Sequence, residues 1–185
     1  MRVLALADKR PPVDPAEMAL QMQVDAVFCL GDLDRAWIES LMGLEIPRYG
    51  IHGNHDPEHA LRDLEIEDLH LRRTHLRGLT VAGFEGCVEY HKGAIHQYTQ
   101  KEACKLARKL PAADVLLCHC PPLGINDDPE DRAHIGFEGL RDWVDEHQPR
   151  HVLHGHTHPV AGRAVKRHGD TQVHWIYGAK LLDLR

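Results

Sequence analysis

Short apolar runs recur along this chain, each ending in a polar or glycine residue and most separated by a stretch of helical spacing. No other feature restricts the fold as strongly. The runs are RVLALA (2–7), DAVFCLG (25–31), RYGIHG (48–53), LTVAGFEG (79–86), DVLLCHC (114–120) and HVLHGH (151–156). Their length and their Gly, Pro or polar boundaries read as buried strands. Between them, PAEMALQMQ (15–23) opens on a proline suited to a first helical turn. DRAWIESLMG (34–43) repeats apolar residues at helical spacing and stops at a glycine. YTQKEACKLARKL (98–110) offers Thr99 as an N-cap with Glu102 three residues later. FEGLRDWVDEH (137–147) is amphipathic. Strands alternating with helices predict an α/β architecture with helices packed on sheet faces.

The C-terminal part departs from that rhythm. AVKRHG and TQVHWIYG flank Gly169-Asp170, which predicts a β-hairpin. The segment PPLGINDDPEDRAHIG (121–136) is a long loop, and such loops are uncommon without a function. No repeat or linker divides the chain, so one domain over 1–185 is expected. The net charge of -6 and the 5% aromatic content argue against a long nucleic acid as partner, which would demand a basic face or stacking platform. A small phosphate compound stays open, because a metal could supply positive charge. Five cysteines without a CxxC, several inside apolar runs, suit a reducing compartment, and a cytoplasmic location is expected. The first apolar run is too short for a signal peptide, and no segment approaches the roughly 18–20 apolar residues of a membrane span.

The residues that leave the apolar runs carry the chemistry. The first run ends at Asp8 and the second in GDLD, with Asp32. The third ends in GNHD, with Asn54, His55 and Asp56. The fifth ends in CHCPP, with His119, and the sixth in HGHTH, with His156 and His158. Strand ends gather at one rim of an α/β sheet, where such folds build their sites. Aspartates, an asparagine and imidazoles form a donor set of oxygen and nitrogen, suited to Mn, Fe or Zn. In extended chain, residues two apart face the same way, so His156 and His158 can share a cavity. Gly155 would let the backbone pass close by. The plain alternative for each histidine is a surface or capping role.

In this order the elements Asp8, GDLD, GNHD, HCPP and GHTH resemble the calcineurin-like metallophosphoesterase superfamily. HCPPLGINDDPEDRAHIG is similar to an HxPPxGxxD…HxG segment of a small branch that includes phosphodiesterase-like enzymes. The resemblance implies a central β-sandwich flanked by helices, four layers in the order αββα. It implies two divalent ions, manganese foremost, with iron, zinc, cobalt or nickel as alternatives. Asp32 would bridge them, with Asp8 and His158 on the first ion and Asn54, His119 and His156 on the second. His55 would sit over the substrate phosphate, with Asp56 orienting it. One element departs: where the family has DxH, this chain has Asp8-Lys9-Arg10, and arginine has no lone pair to donate. Water could take the missing place, His52 or His154 could substitute, or only one ion could be held firmly. Arg10 and His134 are candidates for the substrate pocket. The implied activity is hydrolysis of small phosphodiesters such as nucleotides or cyclic nucleotides. A phosphomonoesterase or protein phosphatase, and a non-catalytic scaffold with a degenerate site, are the alternatives. Homo-oligomerisation is left open.

Overall fold

The computed structural model describes residues 1–159 and 164–185. Among these, two large sheets form. In the first, β1 (Arg2–Ala7), β2 (Ala26–Cys29), β3 (Arg48–Gly50) and β4 (Glu67–Asp68) run parallel. The second takes its parallel core from β6 (Leu79–Phe84), β9 (Val115–Cys118), β10 (His151–His154) and β12 (Thr171–Trp175). Its edges are antiparallel: β5 (Arg73–Leu76) beside β6, and β11 (Arg167–His168) beside β12. A small parallel pair, β7 (Cys87–Val88) and β8 (Gln97–Tyr98), lies apart. The last strand, β13 (Gly178–Asp183), returns to the first sheet and pairs antiparallel with all of β1, from Arg2↔Asp183 to Ala7↔Gly178.

Alternating side chains explain why the strands read as almost continuous apolar runs: both faces are covered. Val3, Ala5 and Ala7 of β1 meet Val115 and Leu117 of β9 and Leu153 of β10 between the sheets. Leu4 and Leu6 turn the other way, toward α1 (Pro15–Gln21), α2 (Arg35–Ile38) and α3 (Ala60–Asp63). Leu116 and Val152 face α4 (Gln100–Ala107) and α5 (Glu138–His147). Helix, sheet, sheet and helix are therefore stacked in the predicted αββα order.

The local signals mostly act as expected. Thr99 and Glu102 form a reciprocal capping box at the start of α4. Asp34 caps α2 by accepting the Ala36 N–H at 3.0 Å. The expected helix over 34–43 is shorter, a turn of α-helix followed by a 3₁₀ turn at Glu39–Leu41. The hairpin at Gly169-Asp170 is present, but β12 also pairs in parallel with β10. Arg77 and Gly78, both at positive φ, make a two-residue hairpin turn between β5 and β6. No helix among the described residues is long and apolar enough to cross a membrane.

Leu117 is fully buried between the sheets. Leu117→Ala should lower unfolding free energy by about 2–5 kcal/mol. Urea denaturation checks this, and a loss below about 1 kcal/mol would contradict the layered core.

Candidate active site

The carboxyl ends of β1, β2, β3, β9 and β10 come together where the two sheets meet. Three of the residues leaving these strands, Asp8 (φ 60), Asp32 (φ 52) and His156 (φ 67), adopt the left-handed conformation. That region is unfavourable for non-glycine residues and costs on the order of 1 kcal/mol or more each. Surrounding contacts hold them there. The Asp56 carboxylate accepts the backbone N–H groups of Asp32 (2.9 Å), Gly53 (2.7 Å) and Leu33 (3.3 Å). It thus ties the GDL loop to the GNHD loop that carries His55. Asp32 Oδ1 accepts the His55 N–H at 2.8 Å. The two loops run in backbone contact: a Cβ on Gly53 would fall 2.1 Å from Asp32 Oδ1, so glycine is required. Gly155 has the predicted role, since a Cβ there would lie 2.4 Å from Asp8 Oδ2.

His119 is fully buried at the centre of the site. Its Nδ1 donates to the Leu30 carbonyl at 2.7 Å, which directs Nε2 toward Asn54 Oδ1 (3.1 Å) and Asp32 Oδ2 (3.4 Å). Burial pulls the imidazole pKa down, but Asp32 and Asp8 override it and raise the value to about 9. Burial likewise pushes Asp32 up, yet His119 and the His55 N–H hold it at about 2. Asp8, whose Oδ2 accepts the His156 N–H at 2.9 Å, is raised by burial to about 6. His156 is kept neutral, its pKa pressed to about 3 by burial and by His119. Its Nε2–H donates to the Ala133 carbonyl at 2.7 Å, leaving Nδ1 with a lone pair.

These residues fit a divalent cation. Asp8, Asp32 and His119 offer ligand atoms all within 4.8 Å of one another, and Asn54 Oδ1 adds a neutral oxygen. Carboxylate, amide oxygen and imidazole suit ions such as Mn²⁺ or Zn²⁺. The floor opens into a cavity of about 800 Å³, which His55, His134, His156 and His158 also line. His158 is exposed, with its ring 5.5 Å from those of His134 and Tyr177, and stands on the wall rather than in the buried group. His134 is held by Asp131 at 2.6 Å and does belong to the cavity. Arg10 is exposed and is not among the described residues that line the cavity. Asp127, in the long loop, accepts the Gly124 and Gly136 N–H groups at 3.0 Å each and so shapes the loop from within.

Neither proposed substitute for the missing DxH histidine reaches the site. His154 bonds to Asn126 (2.9 Å) and the Gly155 carbonyl (3.1 Å). His52 belongs to a second buried cluster, where Glu85 meets His52 Nδ1 at 2.9 Å, His96 Nδ1 at 3.3 Å and the Tyr98 hydroxyl at 2.5 Å. The His52 and His96 rings stack with 6° between their planes, centroids 4.4 Å apart. Lone pairs in parallel planes do not converge on one ion, so this cluster braces the GNHD loop against the end of β6. Glu85, His96 and Tyr90 are not distinguished by local pattern: Glu85 leaves the fourth apolar run as a lone carboxylate, and His96 and Tyr90 lie between runs.

A buried set of oxygen and imidazole donors, suited to a divalent cation, lies beneath an open cavity. The chain belongs to the calcineurin-like phosphoesterase family, whose model matches residues 10–160, and its members are metal-dependent phosphoester hydrolases. No curated protein matches it significantly. Solved structures share the fold. The protein TT1561 of Thermus thermophilus is 16% identical with a TM-score of 0.60, covering 93% of this chain and 87% of its own. A hypothetical protein from the same organism is 17% identical with a TM-score of 0.53, over 96% of this chain and 76% of its own. A further crystal structure, also 17% identical, has a TM-score of 0.66 over 100% of this chain and 99% of its own.

Burial raises the Glu85 carboxyl, but His52, His96, His70 and Tyr98 hold it well below the usual range. A depressed carboxylate contributes stability above its unfolded pKa of about 4.3 and loses it as pH falls toward the folded value. The wild type should therefore be more stable than Glu85→Gln at pH 7. The gap should narrow by up to about 1.4 kcal/mol per pH unit below about pH 4. Urea unfolding at neutral and acid pH measures this, and a gap independent of pH would contradict the assignment.

Proposed function

We propose that this phosphoesterase hydrolyses small phosphodiesters, with nucleotides or cyclic nucleotides as the substrate class. The observation that carries the reading is the convergence of Asp32 Oδ2 and Asn54 Oδ1 on His119 Nε2 at 3.4 and 3.1 Å, at the floor of a cavity of about 800 Å³. Leu33, Pro57, Ala60 and Leu64 supply one wall of that cavity, which favours a leaving group with apolar surface. The resemblance of HCPPLG…HIG to the phosphodiesterase-like branch points the same way.

Two divalent ions, manganese foremost, would supply the charge that neutralises the phosphate and acidifies a water molecule. Asp32, Asn54, His119 and His156 would hold them together with Asp8 and His158; without the DxH histidine, the ion on Asp8 is the weaker. His55 faces the cavity on a loop pinned through its own backbone to Asp32. From there it donates a proton to the leaving oxygen, a role worth roughly 10²–10⁴ in rate. His134, with Nδ1 held by Asp131, lines the cavity and would meet the substrate there. Asp56 keeps the two loops in register. The substrate reaches the enzyme from solution, and a net charge of -6 disfavours long nucleic acid. The five cysteines are free, which supports a reducing compartment such as the cytoplasm.

His55→Ala should retain metal and lose activity by about 10²-fold or more, whereas Asp32→Ala should lose both. Metal content and turnover of the purified variants measure this, and equal metal loss in the two would refute the roles. With Mn²⁺ present, bis-p-nitrophenyl phosphate should be hydrolysed in preference to p-nitrophenyl phosphate. Preference for the monoester would make the protein a phosphomonoesterase, and no turnover with Mn²⁺, Fe²⁺, Co²⁺, Ni²⁺ or Zn²⁺ would favour a scaffold.

A further inference from the structure

Asn54 can serve a cation only through its amide oxygen, because the amide nitrogen has no lone pair to offer. Something must therefore hold the amide the right way round. On the inner side, Oδ1 lies 3.1 Å from His119 Nε2. His119 spends Nδ1–H on the Leu30 carbonyl, which leaves Nε2 facing Asn54 and Asp32. An amide turned around would set its NH₂ against a cation bound between His119 and Asp32, positive against positive. On the outer side, Nδ2 donates to the Tyr90 hydroxyl at 2.9 Å. Asn54 is buried, so an Nδ2 without this acceptor would bear a desolvation cost.

Tyr90 is itself held in place. Its backbone N–H and that of His91 both donate to Gln97 Oε1, at 3.1 and 3.0 Å. Just before it, the Glu89 N–H donates to the Tyr98 carbonyl at 2.9 Å, beside the β7–β8 pair. The phenol ring lines the same cavity as Asn54 and His55.

We propose that Tyr90 is a positioning residue for the metal site: its hydroxyl receives the Asn54 amide N–H and keeps Asn54 Oδ1 turned toward His119 and Asp32. This rests on reading the site as a metal centre. Partners of this kind orient a ligand and commonly contribute 10–100-fold to metal affinity. A carboxylate in place of the amide has two equivalent oxygens and requires no such orientation.

Metal-free protein titrated with Mn²⁺ in a calorimeter tests the assignment, without recourse to catalysis. Tyr90→Phe keeps the ring and removes the acceptor, and should weaken Mn²⁺ binding about tenfold or more. In the Asn54→Asp background, adding Tyr90→Phe should leave Mn²⁺ affinity unchanged. Wild-type affinity in Tyr90→Phe overturns the proposal. So does an equal loss in both backgrounds, which would mean that the ring or its loop, not the amide, carries the effect. A wild type that binds no Mn²⁺ overturns this proposal and the metal-centre reading together, whereas Mn²⁺ binding without phosphoester turnover overturns only the proposed function.

Discussion

The backbone contact between the loop after β2 and the loop after β3 is the constraint on which the rest of the site depends. Gly31 and Gly53 allow it: a Cβ on Gly31 would lie 2.2 Å from the Gly53 nitrogen. Asp56 then closes the junction by taking N–H groups from both loops. With the loops locked, Asp32 remains in a left-handed conformation it would otherwise avoid, and its carboxylate faces His119. Asn54 follows from the same turn. Loosening this one contact would move two donors at once, Asp32 and Asn54. A displacement of about 1 Å matters in a catalytic constellation.

The second constraint is electrostatic. Asp8, Asp32 and His119 lie close together beside a core that is otherwise apolar. Charges so placed must be balanced. In the protein alone, Asp32 and His119 balance each other, each moved strongly toward its charged form. Asp8 is left with burial as its dominant influence. A cation would meet this excess of lone pairs and take the place of the imidazole proton. The neighbouring Glu85 cluster lies against the same loop but does different work. Its two stacked imidazoles face the carboxylate through Nδ1, and among the described residues their buried Nε2 atoms have no partner.

Much of the architecture was legible because buried parallel strands announce themselves as dense apolar runs. The capping box at Thr99, the cap at Asp34 and the hairpin at Gly169-Asp170 are local signals and act locally. β13 was not legible: GAKLLD shows no alternation of exposed and buried residues, and pairing with β1 makes it a strand. β4 is too short to carry a period. Within the site, the strand-end donors stood out, but their partners did not. Leu30 contributes a carbonyl, which any residue has, and Tyr90 reaches Asn54 across a separation of 36 residues. The departure at Arg10 was visible as chemistry, since guanidinium cannot ligate, yet its exposure outside the cavity was not.

The amino-acid sequence by itself determined most of the elements and which of them end in potential metal-binding atoms, because hydrophobic runs, caps and donor types are properties of neighbouring residues. Tertiary structure alone decided how those atoms face one another. It set Asp32 rather than Asp8 as the strongly acidic carboxylate, used Asp56 to join two loops, sent His52 and His154 to other partners and left His158 on the cavity wall. Each of those outcomes turns on burial and on contacts between distant segments, and neither exists until the two sheets have packed face to face.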